Sequence, residues 1–285
     1  MQNYFCGWYF KCQSKRGTVA LIPAIHRHGN EKFASVQLIT EGGAWNISLP
    51  YGQFRKGKGK FKFTVGKSRF SAEGISLQLS SEGLSAHGDL RFGELSPIGY
   101  DIMGPFKYLP FMECRHSVMS MRHTVTGELD INGILYRFDG DMGYIEGDRG
   151  YSFPKEYAWT QCFFDGGSLM FSVADIPLGR FHFTGVIGII NWYGREYRLA
   201  TYLGAKAVKI KNGEIVIKQG KSTFSAKLIE RRSQPLRAPT NGMMSRTIHE
   251  SASCRAEYRF EEDAKVLFEF ESNTASFEYE YSSLY

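Results

Sequence analysis

The sequence lacks most of the signatures that would assign it a chemistry at once. It has no Walker-type phosphate loop, no dinucleotide fingerprint, no zincin motif and no G-x-S-x-G elbow, so nucleotide-dependent, zinc-protease and α/β-hydrolase readings find no support. Its longest apolar stretch, Gly185 to Trp192, is far too short to span a bilayer as a helix. The start, Met1 to Lys11, has neither the basic opening nor the continuous apolar run of a secretory signal. Cysteine is sparse: Cys6, Cys12, Cys114, Cys162 and Cys254 are scattered, odd in number and without a C-x-x-C pair. They read as free thiols in a reducing compartment, and the expected location is cytoplasmic.

What the chain has in quantity is aromatic side chains, 15% of 285 residues, and 31 glycines. Phe and Tyr at this level suit pleated, half-buried surfaces, and the glycines call for many turns. The length fits one large all-β domain or two of ordinary size. The net charge of +6 is unevenly placed, with lysines crowding Arg55 to Lys62 and glutamates crowding Glu257 to Glu280.

The chain repeats itself. Gly66-Lys67-Ser68-Arg69-Phe70-Ser71-Ala72 returns 154 residues later as Gly220-Lys221-Ser222-Thr223-Phe224-Ser225-Ala226. A weaker echo, 150 residues apart, links Tyr9 to Cys12 and Gly17 to Leu21 with Trp159 to Cys162 and Gly167 to Phe171. Two echoes in the same order at nearly equal spacing point to duplication. Within each half, apolar and polar residues alternate with period two: Phe61, Phe63 and Val65 against Lys60, Lys62 and Thr64; Phe277, Tyr279 and Tyr281 against Glu278 and Glu280. Turn signals separate such runs at Gly42-Gly43, Asn132-Gly133, Gly166-Gly167 and Asn212-Gly213. Only Pro105 to Met112 can form a short helix or apolar plug, and it falls between the halves. The expectation is all-β: two antiparallel barrel or sheet domains related by duplication, residues 1–120 and 121–285, with the join somewhere in 97–142.

The segment richest in chemistry is Gly143-Tyr144-Ile145-Glu146-Gly147-Asp148-Arg149-Gly150-Tyr151-Ser152-Phe153-Pro154, followed by Tyr157, Trp159 and Gln161. Read alone, it is either a site of acids and aromatics or an ion-paired loop with an aromatic plug. It resembles a stretch of the tocopherol-cyclase family and its bacterial relatives, matching at Glu146, Asp148, Gly150, Phe153, Pro154, Trp159 and Gln161. It departs at Gly147, where the family has Lys, and at Arg149, where it has Trp. Phe5-Cys6-Gly7-Trp8-Tyr9-Phe10-Lys11 is similar to a second family signature, with Cys6 in place of an acid. Further similar blocks run from Met103 to His116, Tyr197 to Ala205 and Asn241 to Ser251.

The resemblance implies two lipocalin-like β domains enclosing an apolar pocket and a small isoprenoid or prenylated ligand. It also implies ring closure begun by protonation of an alkene. That chemistry needs a protonated carboxylic acid and a dry aromatic wall for the cation. Glu146 and Asp148 are the candidate acids. Tyr151, Phe153, Trp159 and Trp8 are the candidate wall, and Gln161 would orient the phenol. Arg149 would hold one of the acids ionised, the wrong state for the task. Two functions stay open: an isomerase or cyclase acting on the ligand, and a non-catalytic lipid-binding module.

Elsewhere, His26 and His28 share a strand face without a third ligand nearby, and no metal is expected. His116 and His123, near Glu113, could move protons or form a structural pair. Lys56, Lys58, Lys60 and Lys62 would line one strand face, either as a solvated edge or as a contact for a membrane surface or nucleic acid. The expectation is no cofactor, no nucleic-acid partner, and compatibility with a peripheral membrane contact.

Overall fold

The computed structural model describes residues 3–58, 61–110, 112–178 and 180–281. No α-helix occurs among them; apart from three short 3-10 turns, the regular structure is strand. The first sheet contains β1 (Tyr4–Ser14), β2 (Gly17–His28), β3 (Glu31–Thr40), β4 (Gly43–Pro50), β5 (Phe54–Lys56), β6 (Lys62–Val65), β7 (Ser68–Ser71), β8 (Gly74–Ser81), β9 (Leu84–Phe92), β10 (Cys114–Ile131) and β11 (Ile134–Gly150). The second contains β12 (Tyr157–Phe164), β13 (Gly167–Leu178), β14 (Phe181–Trp192), β15 (Arg195–Ala200), β16 (Lys206–Lys211), β17 (Glu214–Gln219), β18 (Ser222–Glu230), β19 (Gln234–Thr240), β20 (Met243–Glu262) and β21 (Lys265–Tyr279).

The two sheets share one strand order. The first runs β4-β3-β2-β1-β11-β10-β9-β8-β7-β6-β5, and the second β15-β14-β13-β12-β21-β20-β18-β17-β16, with β19 paired to β20. The hairpin β8–β9 is the extra element of the first. Register repeats as well as order: Cys12 faces Val19 and Val19 faces Thr40, as Cys162 faces Leu169 and Leu169 faces Ile190. Duplication is thus visible in strand pairing. Contacts group residues 1–97, 116–152 and 236–247 into one compact unit, and 98–115, 153–235 and 248–285 into another. The expected division between 120 and 121 falls inside β10, because the last hairpin of each half returns to pair with that half's first strand.

Turn chemistry explains the hairpins. Asn132-Gly133, Asn212-Gly213 and Asn241-Gly242 all have positive φ at both residues, from 53° to 82°, the geometry that Asn-Gly adopts most readily and that matches strand twist. The Pro105–Met112 plug is a 3-10 turn over Gly104–Tyr108. The lysine row is not one strand: β5 ends at Lys56 and β6 begins at Lys62, at the open edge of the first sheet; Lys60 lies outside the described residues. Between the two strands, Gly57 N–H bonds Lys62 O.

Each unit has its own apolar core. In the first, Phe10, Phe63 and Phe70 interlock with Trp8, Phe54, Phe61 and Phe92. In the second, Phe171 and Phe224 stack at 3.6 Å beside Tyr258 and Phe260. All five cysteines are free thiols. Phe70 and Phe224, the echoed aromatics, are both fully buried. Phe70→Ala and Phe224→Ala should each lower unfolding free energy by about 3–5 kcal/mol in urea titrations; a loss below 1 kcal/mol at either would mean that the echo does not mark equivalent core positions.

Candidate functional site

Because strand side chains alternate, β11 sends Ile145 into the apolar core and Tyr144, Glu146 and Asp148 to the opposite face. That second face is also sequestered: Tyr9 and Lys11, which pair in register with Glu146 and Tyr144, are buried, as are Tyr144 and Glu146 themselves. Buried polar groups need partners. The Tyr144 hydroxyl donates to Glu146 Oε2 at 2.5 Å. From β10, the imidazole of His116 lies between the two acids, with Nδ1 3.0 Å from Asp148 Oδ1 and Nε2 3.2 Å from Glu146 Oε2. The Asp148 contact is a good hydrogen bond. The Glu146 contact is an ion pair whose approach departs from the N–H direction.

Burial disfavours a charged His116, yet the carboxylates of Glu146 and Asp148 on either side outweigh it and hold the imidazole pKa well above its ordinary value. Burial, reinforced by the Glu146 carboxylate, pushes the Tyr144 phenol up as well. The cluster is therefore an imidazolium held between two carboxylates, one of which also accepts from a phenol that keeps its proton. Ligand atoms of His116, Glu146 and Asp148 all lie within 4.8 Å of one another, close enough to suggest a cation site. The geometry suits a proton relay better. The two ring nitrogens point to opposite sides of the imidazole, so an ion bound at one of them faces away from the carboxylate at the other.

The expected residues fall into separate groups. Glu146 and Asp148 come together, joined by His116. Trp8 pairs with Gly147, not Glu146, and so projects into the apolar core, stacked on Phe63 at 4.2 Å. Tyr151 follows β11, its carbonyl accepting from Gly242 N–H at 2.6 Å. Phe153, Trp159 and Gln161 belong to the second unit. Phe153 meets Tyr157 edge to face at 6.1 Å, and Trp159 and Gln161 are buried on one face of β12. Arg149 is exposed, on the other side of β11 from the acids and paired with Cys6; the cation standing between Glu146 and Asp148 is His116. Gly147 leaves no room for the family's lysine, since a Cβ there would lie 3.0 Å from Gly7 O and 3.1 Å from Trp8 Cδ1.

Sequence reasoning weighed His116 against Glu113 and overlooked Tyr144. His123 is a core residue, bonded to Ser120 Oγ and packed at a tilt against the Phe92 ring, and burial lowers its pKa to about 4. His26 is similar: it bonds Ser35 Oγ, and burial lowers its pKa to about 4. His28 meets Asn241 O. The second unit repeats part of the pattern. Trp159 pairs with Glu278 as Tyr9 pairs with Glu146, and Glu278 accepts from the Tyr157 hydroxyl.

No protein-family profile and no curated protein matches the sequence. Solved structures do match along almost the whole chain. CghA superposes with a TM-score of 0.63 at 10% identity, covering 99% of this chain and 90% of that one. An AttH-type protein from Nitrosomonas europaea gives 0.58 at 9% identity, covering 99% and 93%. Kievitone hydratase from Nectria haematococca gives 0.57 at 8% identity, covering 98% and 89%. At such identities the likeness shows the fold: two lipocalin-like β domains.

Two outcomes follow from the site. The native pKa of His116 is raised above its unfolded value near 6.5, so its stabilising contribution is complete below about pH 6.5 and is lost as pH climbs through the native pKa. The stability gap between wild type and His116→Gln, from urea unfolding, should be widest near pH ~6 and shrink toward pH ~9.5; a gap that grows with pH would disprove the imidazolium. Gly147→Lys should destabilise by about 1–3 kcal/mol through overpacking against Trp8, read as a lower urea midpoint.

Proposed function

We propose that this protein binds a small, largely apolar, unsaturated molecule and performs acid–base chemistry on it of the cyclase, isomerase or hydratase type. The observation that carries the reading is the largely buried imidazole of His116 clamped between Glu146 and Asp148. An imidazolium in that setting is a general acid available near neutral pH, and a neighbouring carboxylate is a base. Support also comes from the shared fold, which in other chains carries kievitone hydratase and the CghA structure solved with Sch210972.

Acid strength narrows the substrate. With its pKa raised, His116 is too weak an acid for an isolated alkene, and it is matched to a double bond conjugated with a carbonyl or phenol oxygen. In the proposed step His116 gives its proton to the substrate as an O–H, from water or from the substrate itself, adds across the conjugated bond. The proton lost by that O–H passes to Glu146 or Asp148 and back to His116, so the relay ends as it began. Tocopherol-cyclase-type chroman closure, which begins by protonating an isolated alkene, lies outside this class. The second reading, a lipid-binding module without turnover, is favoured by how fully Tyr144, Glu146, His116 and Asp148 engage one another.

Incubation in D2O with prenylated hydroquinones and with prenylated conjugated ketones, followed by mass spectrometry, separates the two. Turnover should place one deuterium on carbon in the product. His116→Gln should lower the rate by about 100-fold or more while leaving ligand affinity within a few-fold, and Lys209→Gln, remote and exposed, should leave it unchanged. Binding without deuterium incorporation would support the module; binding of none of the compounds would remove both readings.

A further inference from the structure

The twenty residues from Phe54 to Glu73 contain seven cations, Arg55, Lys56, Lys58, Lys60, Lys62, Lys67 and Arg69, and a single acid, Glu73. Their local excess is as large as the net +6 of the entire chain, which makes this stretch one strongly basic place on the protein. The fold puts that place at the open edge of the first sheet, where β5, β6 and β7 pair in sequence. Alternation turns Phe63, Val65 and Phe70 inward and sets Lys62 and Arg69 outward. Arg55, Thr64 and Arg69 share one rung across the three strands. Arg55, Lys56, Lys58, Lys62, Lys67 and Arg69 are all exposed, and none makes an ion pair with a described residue.

The second unit differs in degree. On its corresponding strands and turns, β16 to β18, Lys209 is paired with Glu214 and Lys221 with Asp263, while exposed Lys206, Lys211, Lys218 and Lys227 make no ion pair with a described residue; on β20, Arg255 is paired with Glu271 and Arg259 with Glu261 and Glu269. Guarding a sheet edge against aggregation needs one or two lysines. Six unpaired cations gathered over three short strands repel one another, a cost that an anionic partner removes.

We infer that this edge docks the protein onto an anionic lipid bilayer. Charge complementarity selects the partner, and two further features favour a bilayer over a nucleic acid. The described cations lie on an open pleated face and its turns at the sheet edge. Tyr51, exposed beside this edge and close to Phe54 and the Lys32 ammonium, offers a ring of the kind that settles at a bilayer interface. Docking there also brings the protein to where an apolar ligand resides; that last point rests on the proposed function, whereas the surface itself does not.

Each exposed cation adds roughly a fivefold gain in partitioning onto an anionic surface. The test is co-sedimentation with vesicles of phosphatidylcholine alone or with about one third phosphatidylserine, at ~0.1 and ~0.5 M NaCl. Wild type should bind the mixed vesicles at low salt and be released by high salt. Combined Arg55→Gln, Lys62→Gln, Lys67→Gln and Arg69→Gln should weaken binding by nearly three orders of magnitude, roughly fivefold for each cation. A control removing the same charge from the second unit, Lys206→Gln, Lys211→Gln, Lys218→Gln and Lys227→Gln, should change it less than a few-fold. Equal loss in both variants would show a response to net charge alone and overturn the inference. So would equal binding to both vesicle types, or no vesicle binding alongside tight binding to a single-stranded oligonucleotide. Because the vesicles carry no substrate, failure here leaves the proposed chemistry standing, and the deuterium experiment can fail while docking holds.

Discussion

The structure depends on the return of each half's last long hairpin to its own first strand. β11 closes on β1 and β21 on β12, and with strands joined in this way the side-chain period of two decides everything that follows on each rung. Ile145 enters the core and Gly147 is pressed against Trp8, so Tyr144, Glu146 and Asp148 have one face left to them. That face is buried too. A carboxylate placed there without partners would cost several kcal/mol. The Tyr144 hydroxyl and the His116 imidazolium supply the partners, and the polar cluster is the form in which this register is tolerable.

The same constraint acts twice. Glu278 occupies in β21 the rung that Glu146 occupies in β11, each across from a buried aromatic on the first strand of its half, and each takes a tyrosine hydroxyl. The tyrosines come from different places: Tyr144 from the acid's own strand, Tyr157 from the neighbour. The hairpin partner differs as well, with His116 serving the first acid and Glu250 standing opposite the second. Two halves descended from one unit have kept the buried acid and its phenol. The first adds a histidine, His116, beside its acid.

How far the sequence exposed this depends on which rule is followed. Fold class, turn positions and duplication were legible because period-two alternation, Asn-Gly turns and the Phe70 and Phe224 echo all act over short range. Glu146 and Asp148 were legible as candidates because two acids stand among aromatics. Their partner was not, since His116 lies some thirty residues away in sequence and adjoins Glu113, the nearer and misleading acid. A signal did exist: counting outward from the Asn132-Gly133 turn along an antiparallel hairpin brings the residues around 117 opposite 148, and Ser117 Oγ does bond Gly147 O. Trp8 was hard to place for the opposite reason. A conspicuous aromatic in a striking motif was read as a ligand wall, while its parity on β1 sends it into the core. The outward acids of β21 carried the same lesson, because alternation tells which face a residue takes and not whether that face is wet.

The nature of the donor separates two chemistries that share a fold. A neutral carboxylic acid against an indole is a strong enough donor to make a tertiary cation from an isolated alkene, and it requires an environment that keeps the proton on oxygen. Here Glu146 accepts from a phenol and lies beside His116, whose imidazole pKa is held well above its ordinary value. Under the proposed function the donor in this cluster is nitrogen, a weaker acid than a carboxylic acid. A weaker acid paired with two bases cannot generate a free cation, but it can hand a proton on while another is being withdrawn, which is what addition across a polarised, conjugated bond demands.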